Sequence, residues 1–397
     1  EEEEEEEAPF ASVVADRGSE AAAAPQGLMG LLFGGSGASS APSRPPSVAP
    51  AVAPVPARVR WLDVAEVLTA IARFAGLAAA RQLGETGAAV AGCLCAGLEE
   101  LRAEPPCVYA CGGRCRVAAD AAERFCTQAW QWEALPPMNV PRRACAAASV
   151  RGVFYVLGGV DVAASEAGGG RSSKQQPECF DPAANRWRLL APMAKPCTHA
   201  AAAAAGGLIY VFGGLSAGCV LDQAQCFDPA RDRWETLEPL PTPRFECAAA
   251  TAQGLIYVIG GCNQAGEPLA VVERYSPGAD EWRPVPPMGQ ARYGCAAVAV
   301  DGRIYVFGGR QPLGASSWDA ELFDPGVGLW ARLPRMPSAR GRCGAAPAAG
   351  GIYVLGGNDE QDVATVDRFD TAGGWWQEAI TTMPHPHGYC AAAAVSS

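Results

Sequence analysis

A short pattern of apolar residues followed by two glycines recurs along most of the chain. At residues 207–214 it reads GLIYVFGG, and close copies are VFYVLGG, LIYVIGG, RIYVFGG and GIYVLGG. A short apolar run bounded by glycines predicts a strand buried on both faces. The double glycines stand at 112/113, 158/159, 213/214, 260/261, 308/309 and 356/357, with spacings of 46 to 55 residues. The chain therefore contains six copies of one unit.

Two aromatic residues, seven positions apart, follow each double glycine. The pairs are Phe125/Trp132, Phe180/Trp187, Phe227/Trp234, Tyr275/Trp282, Phe323/Trp330 and Phe369/Trp376. We expect them on the two strands that follow the buried strand, where they fill the space between neighbouring units. In units two to six, a run of small residues such as CAAASV at 145–150 predicts one more strand before the buried one.

This combination of buried strand, double glycine and spaced aromatic pair, at a period near ~50 residues, resembles the Kelch repeat. The resemblance covers residues 107–397 and implies an all-β fold, a six-bladed Kelch β-propeller with one four-stranded blade per repeat. The first unit lacks the small-residue strand, and a spare one, GYCAAAAV at 388–395, follows the last Trp. We therefore predict that the C-terminal strand crosses back into the first blade and closes the ring.

The residues before the repeats divide into two segments. Residues 1–57 are a glutamate run followed by Ala, Gly, Ser and Pro, a composition that predicts disorder. Residues 58–104 place apolar residues at helical spacing, which predicts a short helical segment ending before Pro105 and Pro106. We assign residues 105–397 to the propeller. Because the first residue is Glu, we expect a longer parent chain.

Composition and charge exclude several classes of partner. The formal net charge is −11, and the seven glutamates of residues 1–7 leave only −4 for the remainder. The chain therefore has no excess of positive charge with which to attract nucleic acid or an anionic membrane. The apolar stretch at 87–98 is shorter than the ~18 to 20 residues that cross a bilayer. Sixteen cysteines spread through a large chain favour reduced thiols and a cytoplasmic location.

Cysteine recurs at one position of the repeats, seven residues after a Met or Leu that follows the Trp. The residues there are Cys145, Ala200, Cys247, Cys295, Cys343 and Cys390. Because alanine substitutes for cysteine once, we interpret the position as a small apolar contact on the innermost strands. Kelch-type copper oxidases gather several His and Tyr ligands at the axis, and the three histidines of this chain form no matching set. We expect no metal, no cofactor and no enzymatic activity.

Five of the six residues that stand three positions before this cysteine position carry a basic side chain. They are Arg142, Arg244, Arg292, Arg340 and His387, with Cys197 as the exception. In the Kelch propellers of ubiquitin-ligase substrate receptors, which this region resembles, these loops and those after the glycines share a face that binds short peptides. The same loops carry Phe245, Tyr293 and Tyr389, and after the glycines Asn263, Arg310 and Asn358. An arginine ring with aromatics suits a peptide bearing carboxylate or phosphate groups. Equally, these arginines could bond to carbonyl groups of neighbouring blades.

The sequence thus predicts a protein-interaction module, a scaffold or adaptor that binds a partner protein or peptide on the loop face of the propeller. A substrate receptor of a cullin-type ubiquitin ligase would also need a BTB domain, which we do not find in these residues. An actin-associated Kelch scaffold is equally compatible with the sequence. The alternative from another class is an enzyme or small-molecule binder at the axial mouth of the propeller.

Overall fold

The computed structural model of the protein describes residues 106–112, 119–161, 176–359 and 361–395. The expected disordered segment at 1–57 and the expected helical segment at 58–104 lie outside these ranges, as does residue 105. The boundaries that we assign to these segments therefore stay predictions. Within the described ranges, no helix has the length and hydrophobicity that a membrane crossing needs.

Short antiparallel strands make up almost all of the regular structure in these ranges. In chain order they are β1 (Cys107–Cys111), β2 (Ala122–Cys126), β3 (Gln131–Ala134), β4 (Arg142–Arg143), β5 (Ala146–Val150), β6 (Val153–Leu157), β7 (Val160–Asp161), β8 (Glu178–Asp181), β9 (Arg186–Leu189), β10 (Ala201–Ala205), β11 (Leu208–Phe212), β12 (Leu215–Ser216), β13 (Cys219–Val220), β14 (Ala224–Asp228), β15 (Arg233–Thr236), β16 (Ala248–Ala252), β17 (Leu255–Ile259), β18 (Val272–Ser276), β19 (Glu281–Val285), β20 (Ala296–Val300), β21 (Arg303–Phe307), β22 (Ala320–Asp324), β23 (Leu329–Arg332), β24 (Gly344–Ala348), β25 (Gly351–Leu355), β26 (Thr365–Asp370), β27 (Trp375–Thr382) and β28 (Ala391–Val395). One 3-10 turn spans Pro312–Gly314.

Six four-stranded sheets, one for each repeat, form the blades of a propeller. Blade 1 has the strand order β28-β1-β2-β3, and blades 2 to 6 follow as β5-β6-β8-β9, β10-β11-β14-β15, β16-β17-β18-β19, β20-β21-β22-β23 and β24-β25-β26-β27. The first strands of the blades contact each other in a closed circle that runs β5, β10, β16, β20, β24, β28 and back to β5. The six-bladed all-β propeller expected from the repeats is confirmed.

The C-terminal strand closes this ring as predicted. β28 pairs antiparallel with β1, with Cys107 opposite Val395 and Cys111 opposite Ala391. The first blade is therefore built from both ends of the repeat region, and no first strand is missing from the circle. Because β28 pairs with β1, β1 does not form an unpaired edge of blade 1.

Burial explains the sequence pattern of each blade. In β11 the last four residues, Ile209 to Phe212, are fully buried, as in the second strands of the other blades. In the first strand β16, buried and half-buried residues alternate, and in the fourth strand β15 three of the four residues are exposed. The paired aromatics lie opposite each other on the third and fourth strands, as Phe227 and Trp234 do with ring centroids 5.1 Å apart. The core therefore consists of layers between adjacent blades.

The double glycines permit a close approach between blades. Gly260 has a φ of +60°, and a Cβ atom there would stand 2.5 Å from the carbonyl oxygen of Arg292 in the next blade. The same carbonyl accepts a 2.9 Å hydrogen bond from the backbone N–H of Gly261. A side chain at Gly260 would push the next blade away, and one at Gly261 would clash with the loop that enters the first strand of its own blade.

Candidate functional site

The loops that enter the first strands and the loops that follow the double glycines lie at the same end of each blade. Backbone bridges join them, for example Phe245 to Cys262 and Tyr293 to Arg310. We call this end of the propeller the loop face. All eleven candidate residues of the sequence analysis lie in these two sets of loops, but their exposure differs greatly.

Four of the candidate arginines are buried within the blades. Arg244 donates a 3.1 Å hydrogen bond from Nη1 to the carbonyl oxygen of Gly260, and a 2.7 Å one from Nη2 to Oε2 of Glu273 on the third strand. The same pattern of a glycine carbonyl and a third-strand carboxylate recurs for Arg142, Arg292 and Arg340. None of the four has more than 1% of its surface exposed. We call these four residues the framework arginines.

These contacts favour the structural alternative for the framework arginines over partner binding. Their guanidinium groups face the interior of the blade, where each one compensates the charge of a buried carboxylate. A partner on the loop face has no access to them. The expectation that this ring would attract a carboxylate or phosphate group therefore loses its structural basis.

Two blades have no framework arginine, and other side chains take the places of the arginine and, in blade 3, of its carboxylate partner. In blade 3, where Cys197 takes the arginine position, the carboxylate is also absent and Gln225 stands in its place. There the side chain of Gln223 donates to the carbonyl oxygen of Gly213 at 3.1 Å, the bond that arginine makes in the four blades with a framework arginine. Removal of both charges together avoids a buried, unpaired ion.

In blade 1, His387 takes the arginine position and Glu123 is the carboxylate. Both are 1% exposed, and Nε2 of His387 lies 3.6 Å from Oε2 of Glu123. The half-exposed His385 contacts the other carboxylate oxygen. Burial alone raises the pKa of Glu123, but the two histidines outweigh it and hold this pKa below the ordinary value of 4.5. Like the framework arginines, the candidate His387 is out of reach of a partner.

A second ring of residues lies two positions further along these loops, directly before the cysteine position. Its members are Ala144, His199, Glu246, Gly294, Arg342 and Tyr389, and we call it the mouth ring. All six have a φ between +50° and +63°. In this left-handed conformation, the N–H of each of four members donates to the carbonyl oxygen of the member in the preceding blade, at 2.6 to 2.9 Å. Backbone hydrogen bonds thus link the mouth ring around the axis.

An ion pair crosses the mouth of the channel. Nε and Nη2 of Arg342 in blade 6 each donate a 2.9 Å hydrogen bond to a carboxylate oxygen of Glu246 in blade 4. The pair passes over Gly294 of blade 5, where a Cβ atom would stand only 2.9 Å from Cγ of Arg342. Glycine at this position therefore makes room for the pair.

Aromatic rings surround the ion pair. The guanidinium carbon of Arg342 lies 4.4 Å from the ring centroid of Tyr389 and 5.8 Å from that of Tyr293, both cation–π distances. The imidazole of His199 meets the rings of Tyr389 and Phe245 edge to face, at 5.5 and 6.4 Å. Three candidate aromatics of the sequence analysis therefore belong to one half-buried cluster at the mouth.

Below the mouth ring, the first strands enclose a cavity of ≈160 Å³ whose wall is mostly alanine and cysteine. Burial raises the pKa of Cys247 and of Cys343 to about 11, so these thiols are protonated at neutral pH. Cys247 and Cys343 thus act as small apolar contacts, in agreement with the interpretation from sequence. Among the described residues, no group of three or more His, Cys, Asp or Glu side chains has the arrangement of a metal site.

The polar candidates after the glycines mainly organise their own loops. Oδ1 of Asn263 accepts hydrogen bonds from the N–H groups of Ala265 and Glu267. Nη2 of Arg310 donates to Oδ1 of Asn358 at 3.1 Å, and Asn358 is 4% exposed. Of these three residues, the half-buried Asn263 and Arg310 reach the surface of the loop face.

His199, Glu246 and Arg342 are not among the residues predicted from the sequence. A signal was present: six equivalent positions carry six different residues, whereas the arginine position and the cysteine position are nearly uniform. A uniform position satisfies a need that every blade shares. A position that differs in every blade meets no such shared structural requirement.

Comparisons with known proteins agree with this architecture. The family model described as the KLHDC2/KLHL20/DRC7 Kelch-repeats domain matches residues 105–309 and 238–397. Kelch-like ECH-associated protein 1B of Danio rerio is 30% identical over 115 residues, which make up 29% of this chain and only 19% of that protein. A solved structure of YjhT covers 65% of this chain and 90% of its own, with a TM-score of 0.56 and 16% identity, a likeness of fold alone. The family match and the six closed blades together show that this chain belongs to the KLHDC2/KLHL20/DRC7 Kelch-repeat family.

Proposed function

We propose that this protein-interaction module holds a peptide segment of its partner over the mouth of the axial channel. The Kelch-repeat propeller supports the general role in protein interaction. The observation that carries the location is the cluster in which Arg342 binds Glu246 and stacks on Tyr389 and Tyr293. Tyr and Arg are the residues most often found at binding hot spots, since both provide a large contact area.

The charge of the mouth favours a mixed partner surface over a purely acidic one. Arg342 already forms two hydrogen bonds with Glu246, and Arg310 bonds to Asn358 and to the carbonyl oxygen of Gly314. An acidic or phosphorylated segment would have to displace Glu246. We therefore propose a segment that stacks an apolar or aromatic side chain on the tyrosines and bonds to the polar groups of the mouth.

The role of the whole protein is a wider proposal. An adaptor or scaffold function, association with a cullin-type ligase or with actin, a cytoplasmic location and the absence of catalysis all stay predictions from the family resemblance. Co-purification with a cullin would support the ligase proposal, whereas co-sedimentation with actin filaments would support the actin proposal. Stoichiometric copper, iron or zinc in the purified protein would favour the alternative of a propeller enzyme.

Peptide display on the purified propeller, followed by affinity measurements, tests the proposed site. Tyr389→Ala should weaken a selected peptide about tenfold or more, because truncation of a hot-spot residue costs about 2 kcal/mol or more and about 1.4 kcal/mol already corresponds to a factor of ten. Trp375→Ala is the matched control, since this Trp is 48% exposed at the start of a fourth strand, on the end opposite the loop face. Full affinity of a folded Tyr389→Ala variant would rule out the mouth as the site.

A further inference from the structure

A pair of cysteines lies between blade 1 and blade 2. Cys111 is the last residue of β1, and Cys145 belongs to the cysteine position just before β5. Cys111 is fully buried, whereas Cys145 is partly exposed and lines the axial cavity. Cys145 packs against the buried cluster that contains Cys111, and a Cβ atom on the neighbouring Gly112 would stand 3.0 Å from Sγ of Cys145.

The repeat geometry produces this contact, but only blade 1 has a thiol to contribute. The residue at the end of the second strand packs near the cysteine position of the next blade, as Phe212 does with Cys247 and Leu355 with Cys390. The residues equivalent to Cys111 in the other blades are Leu157, Phe212, Ile259, Phe307 and Leu355. Cys111 therefore replaces a large apolar residue, and it is the only one of these six equivalent residues that places a second thiol beside the cysteine position.

The two thiols differ in their ionisation. The hydrogen bond from Cys111, helped by the charge of Arg142, lowers the pKa of Cys145 against the effect of burial. The same hydrogen bond and burial raise the pKa of Cys111 well above its ordinary value. Burial without such a donor raises the pKa of Cys295 to about 12. Thiolate character and access through the channel make Cys145 the more nucleophilic sulfur of the pair.

We propose that Cys111 and Cys145 form a reversible disulfide when hydrogen peroxide enters the axial channel. The thiolate of Cys145 attacks one peroxide oxygen, the O–O bond breaks, and the released hydroxide takes up a proton to become water. The sulfur of Cys111 then attacks the resulting sulfenic acid, the S–O bond breaks, and the leaving hydroxide takes the proton of the Cys111 thiol. Two thiols lose two electrons in total, and one peroxide becomes two waters.

The disulfide would act at the closure of the propeller. β1 carries Cys111 and pairs with the C-terminal strand β28, so a covalent bond to Cys145 connects the closing blade to blade 2. A cross-link of this kind restricts the unfolded chain and resists separation of the two blades. Oxidation should therefore stabilise the closed ring, independently of any partner at the mouth.

Peroxide titration of the purified full chain, followed by peptide mapping without reductant, tests this proposal. We expect a linked Cys111–Cys145 peptide that disappears on reduction, and a shift of chemical unfolding to higher denaturant concentration in the oxidised protein. Cys111→Leu, which copies blades 2 and 6, should leave Cys145 as a sulfenic acid that dimedone traps. Cys343→Ser is the matched control and should form the linked peptide like the wild-type protein.

Two outcomes would overturn the proposal. In the first, Cys111 and Cys145 stay reduced at peroxide concentrations that oxidise the exposed Cys219. In the second, Cys145 proceeds to sulfinic acid in the wild-type protein without a linked peptide, which would show that Cys111 does not resolve the sulfenic acid. Because the wild-type protein gives both readouts, the test does not depend on the folding of a variant.

Discussion

The framework arginines and the mouth ring occupy the same loops, two residues apart, yet they differ in almost every respect. Arg340 is fully buried and bonded to the carbonyl oxygen of Gly356 and the carboxylate of Asp367. Arg342 lies at the channel mouth with 10% of its side chain exposed and reaches across to another blade. The repeated position thus holds each blade together, whereas the variable position forms the mouth where we propose that a partner binds.

The largest effect that separates the two rings is expected inside a blade. Arg244→Cys leaves Glu273 buried without a cation, which should lower the free energy of unfolding by about 3–5 kcal/mol. The double variant Arg244→Cys with Glu273→Gln copies blade 3 and should recover part of this loss. Chemical denaturation of both variants measures the difference. A double variant no more stable than the single one would show that charge pairing is not what the arginine provides.

A smaller effect is expected from a methyl group at the mouth. Gly294→Ala places a Cβ atom against Arg342 at a φ of +60°, so it should cost about 1–2 kcal/mol and separate Arg342 from Glu246. Gly218→Ala is the control, because its φ is +77° but its surroundings are open. Thermal unfolding checks the stability difference between the two variants. Equal losses in both would mean that crowding at the mouth is unimportant.

Acidification should weaken the closing blade through Glu123. The pKa of this carboxyl is depressed in the folded protein, so its ionised form contributes stability above the ordinary pKa of 4.5, and this contribution is lost as the pH falls through the folded value. The stability advantage of the wild-type protein over Glu123→Gln should therefore shrink between pH 6 and pH 3. Denaturation curves at several pH values measure it, and an advantage that stays constant with pH would contradict the assignment.

The smallest effect concerns reactivity rather than stability. Burial holds the pKa of Cys247 at about 11, so iodoacetamide at pH 8 should alkylate it far more slowly than the exposed Cys219. Mass spectrometry of peptides after short labelling times measures the two rates. Labelling of both cysteines at the same rate would mean that the channel wall opens readily.

The sequence predicts the fold almost completely because every blade repeats the same buried strand, double glycine and aromatic pair. The missing first strand of the first repeat and the spare strand at 388–395 were enough to predict the pairing of β28 with β1. The candidate site was harder to predict from the sequence. The sequence places Arg340 and Arg342 in one loop, but it does not show which of the two is buried. One clue was available: an acidic residue stands two positions before the third-strand aromatic in five repeats, and Gln225 replaces it in the repeat that has Cys197.

Two single variants, compared with the same display-selected peptide, test the central claim most directly. Arg340→Ala removes a framework arginine and Arg342→Ala removes a member of the mouth ring, so residue type and loop are identical. We predict that Arg340→Ala loses most of its folding stability, whereas Arg342→Ala stays folded and binds the peptide at least about tenfold more weakly. A folded Arg340→Ala variant that has lost the peptide, together with an Arg342→Ala variant that binds like the wild-type protein, would contradict the account.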